Sequence, residues 1–396
     1  MTRKLKTRAI HAGEKPDIST GASSPNIVMS STFTHDEPLG FSINSFEGES
    51  PFIYSRWSNP TTKQLEEKLS DLEEAEECLT FSSGMAATSA VFFSLLSSGD
   101  HLVISNVNYP GTAELVRDSL PRMGIEYTAV DTSDLKMVEQ AMKKNTRLVW
   151  VETPANPILR LTDIELVAEI AHSRGALLAI DSTFATPIGT RPITKGADLV
   201  VHSLTKYICG HGDALGGAVI GATDVLDIIR QEATVHFGGV MSPFNAWLIM
   251  RGIATLPIRM EAHQQSAMAI AEWLQEDSNA QSVCYPGLAS HPQHELAQRQ
   301  MDNYGGVLSF TVPDGKGVAI QLAKSLEVVH YAVSLGHHRS LIYYLDTLEL
   351  NASSYHLDGL ELEKYMTVAG EGLFRISVGL EDSEDIIDDL AGVLGK

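Results

Sequence analysis

Apolar residues recur along the chain with two spacings, and the switch between them marks the elements. Residues 1 to 60 hold neither spacing for any length and are rich in Ser, Thr, Asn, Pro and Gly, which predicts an extended arm that docks on another subunit. At Asn59 the pattern changes. Asn59 suits a helix cap, Pro60 suits the first helical position, and Leu65, Leu69 and Leu72 fall on one face, so a helix is expected from Pro60 to near Glu77. Short β-rich runs follow at 102–105, 127–130, 148–152, 177–181 and 199–202, separated by helical segments such as 164–174. Alternation of this kind predicts a mostly parallel sheet with helices on both faces. Beyond about residue 245 the texture becomes a long helical stretch to 273, a strand near 307–312, a helix near 318–326, an alternating strand at 373–378 and an acidic amphipathic helix at 384–394. In the alternating strand Phe374, Ile376 and Val378 face a core, and Leu373, Arg375 and Ser377 face the other way. The pattern therefore predicts a large α/β domain followed by a smaller α+β domain.

Composition narrows the function classes. The 396 residues carry 29 Lys+Arg against 50 Asp+Glu, a formal net charge of −21, which disfavours a nucleic-acid or anionic-membrane partner. With 43% hydrophobic and 20% charged residues the chain is of ordinary globular type. Three cysteines, Cys78, Cys209 and Cys284, are odd in number and widely spaced, so neither a disulfide framework nor a zinc ribbon fits. The basic start lacks an apolar h-region and no long apolar run follows. A cytoplasmic protein without signal peptide or membrane span is expected.

Ligands on such sheets bind at the carboxyl ends of strands, which directs attention to the residues just after each run. In VHSLTKY at 201–207, Lys206 follows a strand and is flanked by Ser203 and Thr205. A lysine there can form a Schiff base with a carbonyl cofactor while the hydroxyls hold a phosphate, although a lone loop lysine is more often simply solvated. Asp181 ends the run at 177–181, as either the anion that pairs with a protonated pyridine ring or a turn carboxylate. Ser83, Gly84 and Met85 precede an apolar helix, a pattern that serves as a phosphate cradle or as a simple Ser cap. Tyr109, after the run at 102–105, reads as a ring that stacks on a flat cofactor or as an ordinary turn tyrosine. No glycine-rich dinucleotide fingerprint follows the first strand, which disfavours a nicotinamide dehydrogenase.

Taken together, these motifs resemble the pyridoxal-phosphate enzymes of cysteine and methionine metabolism. The resemblance spans nearly the whole chain, through TRAIHAG at 7–13, SSTF at 30–33, YSRWSNPT at 54–61, SGM at 83–85, ETPANP at 152–157, DSTF at 181–184, the Lys206 segment, Arg251-Gly252 and FRISVGL at 374–380. It implies an aspartate-aminotransferase-like, fold-type I architecture, with an arm at 1–60, a large domain at 61–250 carrying a seven-stranded sheet, and a small domain at 251–396. It implies pyridoxal 5'-phosphate as cofactor, an amino-acid substrate, and a homotetramer built as a dimer of active dimers.

The same resemblance assigns roles. Lys206 would hold the cofactor, Asp181 would pair with its ring nitrogen, Tyr109 would stack on the ring and Asn156 would approach the 3-oxygen. Gly84, Met85, Thr183, Ser203 and Thr205 would complete the cofactor site, with Tyr54 and Arg56 reaching the phosphate of the neighbouring subunit. Arg375, helped by Ser334 and Leu335, would clamp the substrate's α-carboxylate. Three positions depart from the family where the substrate side chain should lie. Ile53 stands where cystathionine-cleaving members carry a Glu, Glu114 where they often carry an Arg, and Arg339 where a Glu is common; Gly111 also replaces a cysteine typical of methionine γ-lyases. The expected reaction is α,γ-elimination with Lys206 and Tyr109 as the catalytic groups. A cystathionine γ-lyase, or a γ-replacement enzyme that joins a thiol to an activated homoserine, is the alternative.

Overall fold

The alternating runs build a seven-stranded sheet from β1 (Glu77–Phe81), β2 (His101–Ser105), β3 (Glu126–Val130), β4 (Thr146–Glu152), β5 (Leu177–Asp181), β6 (Leu199–Ser203) and β7 (Gly217–Gly221). The order is β1-β7-β6-β5-β4-β2-β3, parallel from β6 to β3, with β7 running antiparallel to both of its neighbours. The coordinates are a computed structural model that describes residues 3–36, 52–276 and 278–395; positions 1, 2 and 37–51 of the expected arm lie outside them.

Both faces of the sheet are covered, which is why its central strands read as unbroken apolar runs. Leu148 and Trp150 pack with Phe92 of the helix Gly84–Leu95 on one face, and Val149 and Val151 pack with Val167 of Ile164–Ser173 on the other. A second, five-stranded sheet holds β8 (Ser282–Cys284), β9 (Val307–Thr311), β10 (His330–Tyr331), β11 (Leu341–Asp346) and β12 (Gly372–Ser377). Its order is β10-β11-β12-β9-β8, antiparallel except for β10 with β11. Phe310, Phe374 and Ile376 form its core with the helices Leu256–Glu276, Gly315–Ser325 and Ser383–Leu394. Among the described residues no helix is long and apolar enough to cross a membrane.

Local expectations give way in several places. The arm contains a helix, Leu5–His11, which binds the next helix through Arg8 to Asp71 and Glu74 and through Lys68 to the carbonyls of Ala9 and Ile10. That next helix, Pro60–Glu73, stops four residues before Glu77, because Glu74 turns left-handed (φ 61°) and β1 begins. Glu73 is wholly buried, and its carboxylate accepts from His202 Nε2 at 2.6 Å. The helical stretch after 245 is two helices, Pro243–Ile253 and Leu256–Glu276. Leu373 also faces a core, formed with Ile158, Tyr355 and Tyr365, so both faces of β12 are covered.

Candidate active site

The loops at the carboxyl ends of β4, β5 and β6 and the outer face of β12 enclose a cavity of about 470 Å³. Lys206 enters it from the turn after β6, and its Nζ donates to Ser334 Oγ at 2.8 Å. Burial, with help from the nearby Arg375 cation, pushes the Lys206 amine down to about 8. Arg375 lies opposite, where the alternation of β12 directs it away from Phe374 and Ile376. It donates to Asn156 Oδ1 at 2.7 Å and to the Ser334 carbonyl at 3.0 Å. Ser334 thus meets both cations, and it does so with a backbone φ of 91°, a strained conformation for a residue with a Cβ.

Asp181 ends β5 with one carboxylate oxygen occupied: Oδ1 accepts from the Thr183 amide at 3.0 Å and its hydroxyl at 2.6 Å. Among the described residues nothing donates to Oδ2, and the side chain faces the cavity. Burial raises the Asp181 carboxyl, while the two Thr183 bonds oppose the rise. Ser83 caps the helix Gly84–Leu95 by accepting from the Ala86 amide at 3.1 Å, which leaves the Gly84 and Met85 N–H groups without intrahelical acceptors. Ser203 and Thr205 line the cavity with them. Gly84 is required there, since a Cβ would lie 2.8 Å from Ser203 Cβ and 2.9 Å from its Oγ. Tyr109 caps the helix Pro110–Asp118 with its ring about half exposed. An amine that sheds its proton easily, an unpartnered carboxylate oxygen and a donor-rich helix end in one cavity suit an aldehyde, a pyridinium nitrogen and a phosphate. The residues present therefore fit pyridoxal phosphate.

Twelve of the expected residues line this cavity: Gly84, Met85, Tyr109, Asn156, Asp181, Thr183, Ser203, Thr205, Lys206, Ser334, Leu335 and Arg375. Five do not. Ile53 and Tyr54 lie in an extended segment bridged to Thr32, where the Phe33 amide donates to the Ile53 carbonyl. The Arg56 guanidinium sits 5.4 Å from the Tyr54 ring centroid and donates to the Val235 carbonyl. Glu114 accepts from Ser354 Oγ at 2.7 Å, and Arg339 is exposed with no carboxylate at ion-pair distance among the described residues. His337 and His338, the adjacent histidines before Arg339, also stay outside the cavity lining. They occupy a loop, where the first packs on Gly212 and the second lies 6.0 Å from the His211 ring.

Two wall residues had no role assigned from sequence. Glu152, the last residue of β4, accepts from the Tyr109 amide at 2.7 Å and the Asn156 amide at 2.8 Å. Its place at a strand's carboxyl end was the signal that could have singled it out. Tyr355 donates toward the carbonyls of Asn108 at 2.9 Å and Asn156 at 3.0 Å. It comes from some 200 residues further along, and nothing local in the sequence marks it.

Comparison with known proteins gives a consistent result. Residues 6–394 match the family model described as Cys/Met metabolism PLP-dependent enzyme. A canavanine γ-lyase from Pseudomonas canavaninivorans is 42% identical over 98% of this chain and 96% of its own length. An L-methionine γ-lyase from Fusobacterium nucleatum subsp. polymorphum is 41% identical over 99% and 98%, and a cystathionine γ-synthase from Mycobacterium bovis is 41% identical over 98% and 96%. The crystal structure of metB from Corynebacterium glutamicum superposes with a TM-score of 0.89 at 38% identity, covering 98% of this chain and 97% of that one.

Proposed function

The chain belongs to the Cys/Met metabolism PLP-dependent enzymes and shares their fold-type I architecture, and from that premise we propose that it catalyses α,γ-elimination from a sulfur amino acid, releasing a thiol, a 2-oxo acid and ammonia. Bound pyridoxal 5'-phosphate supplies the electron sink that lets a proton leave the substrate's Cα. The protein supplies position and protons. Gly84, Met85, Ser203 and Thr205 would hold the phosphate, Asp181, oriented by Thr183, would pair with the ring nitrogen, and Tyr109 and Asn156 would contact the ring. Arg375 receives the α-carboxylate in bidentate fashion. Lys206 Nζ takes the proton from Cα and then serves Cβ, and the Tyr109 hydroxyl gives a proton to the departing sulfur.

The observation that carries this reading is the double engagement of Ser334. Its hydroxyl receives the Lys206 amine and its carbonyl receives Arg375, so one residue ties the proton acceptor to the carboxylate receptor that faces it across the cavity. Ile53 does not line this chain's cavity, but it stands at the family position where cystathionine-cleaving members carry a Glu, and the lack of that carboxylate favours an uncharged thioether side chain. Arg339 and Glu114 are not paired with each other among the described residues, and both stand outside the cavity wall, Glu114 held there by Ser354. The working form is a cytoplasmic homotetramer, a dimer of active dimers, in which Tyr54 and Arg56 complete the partner's phosphate site. The parts are an arm at 1–60, a large domain at 61–250 and a small one at 251–396.

A panel of methionine, cystathionine, cysteine, homocysteine, canavanine and homoserine esters, followed for 2-oxo acid and ammonia, tests the reading. Ammonia from methionine, with less from cystathionine, is expected. Thioether formation from a homoserine ester and cysteine, without ammonia from any substrate, would replace it by γ-replacement, the reaction class to which the similar cystathionine γ-synthase points. Cystathionine cleaved well ahead of methionine would show the inference from Ile53 to be wrong.

A further inference from the structure

Glu152 is 5% exposed and ends β4 directly beside Asp181, its register partner on β5. Two carboxylates so close and so dry repel each other, and burial followed by the Asp181 charge pushes the Glu152 carboxyl well up. An apolar residue would fit the same place without that cost, so the arrangement needs another reason. The hydrogen bonds give one. Each carboxylate oxygen takes one backbone amide, Oε2 that of Tyr109 and Oε1 that of Asn156, from two different loops. The Tyr355 hydroxyl, arriving from the second-sheet side, reaches the carbonyls of Asn108 and Asn156 in the same two loops. Asn156 in turn accepts from Arg375.

We propose that Glu152 is a positioning residue whose carboxylate locks the Tyr109 and Asn156 loops into one unit, so that the ring-facing tyrosine, the 3-oxygen-facing amide and the Arg375 receptor share a single register. The proposal rests on the roles given above to Tyr109 and Asn156. It requires a group with two acceptors: Gln offers one oxygen and sets its NH2 against the remaining amide donor, and Asp is a methylene too short to span both loops.

Amide hydrogen exchange of the segments 106–112 and 153–158, measured by mass spectrometry on cofactor-free and loaded protein, tests it together with visible circular dichroism of the loaded protein. Glu152→Gln should retain full cofactor stoichiometry and a single cooperative urea transition, speed exchange about tenfold in both segments at once, and weaken the visible dichroism. Its kcat should fall on the order of 10²-fold, the scale of loss from small misplacement of reacting groups. Wild-type exchange in both segments, or acceleration confined to one, overturns the proposal whatever happens to activity. Should that variant fail to fold, Tyr355→Phe removes the second clasp with Glu152 intact and should loosen the same two segments together; one responding alone is again fatal. The exchange result in cofactor-free protein does not depend on the assigned chemistry, whereas a borohydride-reducible cofactor link surviving in Lys206→Ala would remove that chemistry and leave the exchange result standing.

Discussion

Lys206 loses its proton near pH 8 because the cavity walls exclude water and the Arg375 cation adds to the cost of a second positive charge. In cofactor-free protein its reaction with an amine-selective acylating reagent, read at the Lys206 peptide, should therefore show a midpoint near 8, well below that of surface lysines. Arg375→Leu should move the midpoint upward, although burial keeps it below the ordinary value; an unshifted wild-type midpoint would contradict the dry setting. Tyr109→Phe keeps the ring and removes the proton. Turnover should fall on the order of 10²–10⁴-fold with cofactor affinity nearly unchanged, and near-normal turnover would assign the leaving sulfur's proton to another group. Gly111 matters to the same ring, since a Cβ there would lie 2.7 Å from Tyr109 Cε1 and 3.3 Å from Met85 Sδ. Gly111→Cys should accordingly displace the tyrosine and alter the cofactor's visible dichroism. Lys206, Tyr109 and Gly111 could be picked out from sequence because each follows a strand or opens a helix, and Arg375 because it is the charged residue of an alternating apolar strand. Glu152 and Tyr355 act through partners distant along the chain, which local pattern does not report.

At the scale of elements, the helix Pro60–Glu73 does more than cover the sheet. Its last residue reaches His202, which lies between the cavity residues Val201 and Ser203 on β6 but points to the opposite face. Among the described residues Glu73 Oε2 and His202 Nδ1 have no further partner, so the pair depends on its one short contact. Glu73→Leu leaves a buried imidazole unpaired and should cost on the order of 3 kcal/mol in urea unfolding, the scale of breaking a buried pair. A loss of a few tenths would mean that the site relaxes. Composition reports the charge of Glu73, Glu74, Glu76 and Glu77 but not which carboxylate turns inward. The five parallel strands were legible as apolar runs. β1 and β7 were not, because β7 begins and ends on glycine and β1 begins on Glu77 with only three residues separating it from the end of a helix, so neither shows a clean period.

Across the whole molecule, Tyr54 and Arg56 stand outside the cavity of their own chain, which a partner's phosphate site would explain. Mixing Arg56→Ala with Lys206→Ala subunits should then restore part of the activity that each lacks alone, since one site of each hybrid dimer keeps both groups. Failure of well-mixed hybrids to recover any turnover, or a fully active monomer in sedimentation, would refute the shared site. The cavity wall is also divided within one chain. Lys206, Asp181 and the helix end at Gly84 belong to the seven-stranded sheet, whereas Arg375 and Ser334 belong to the region of the second sheet, whose core is largely its own. Mild denaturant that melts the second core first would leave a protein still coloured yet blind to amino acids, and the loss of turnover would precede the loss of colour.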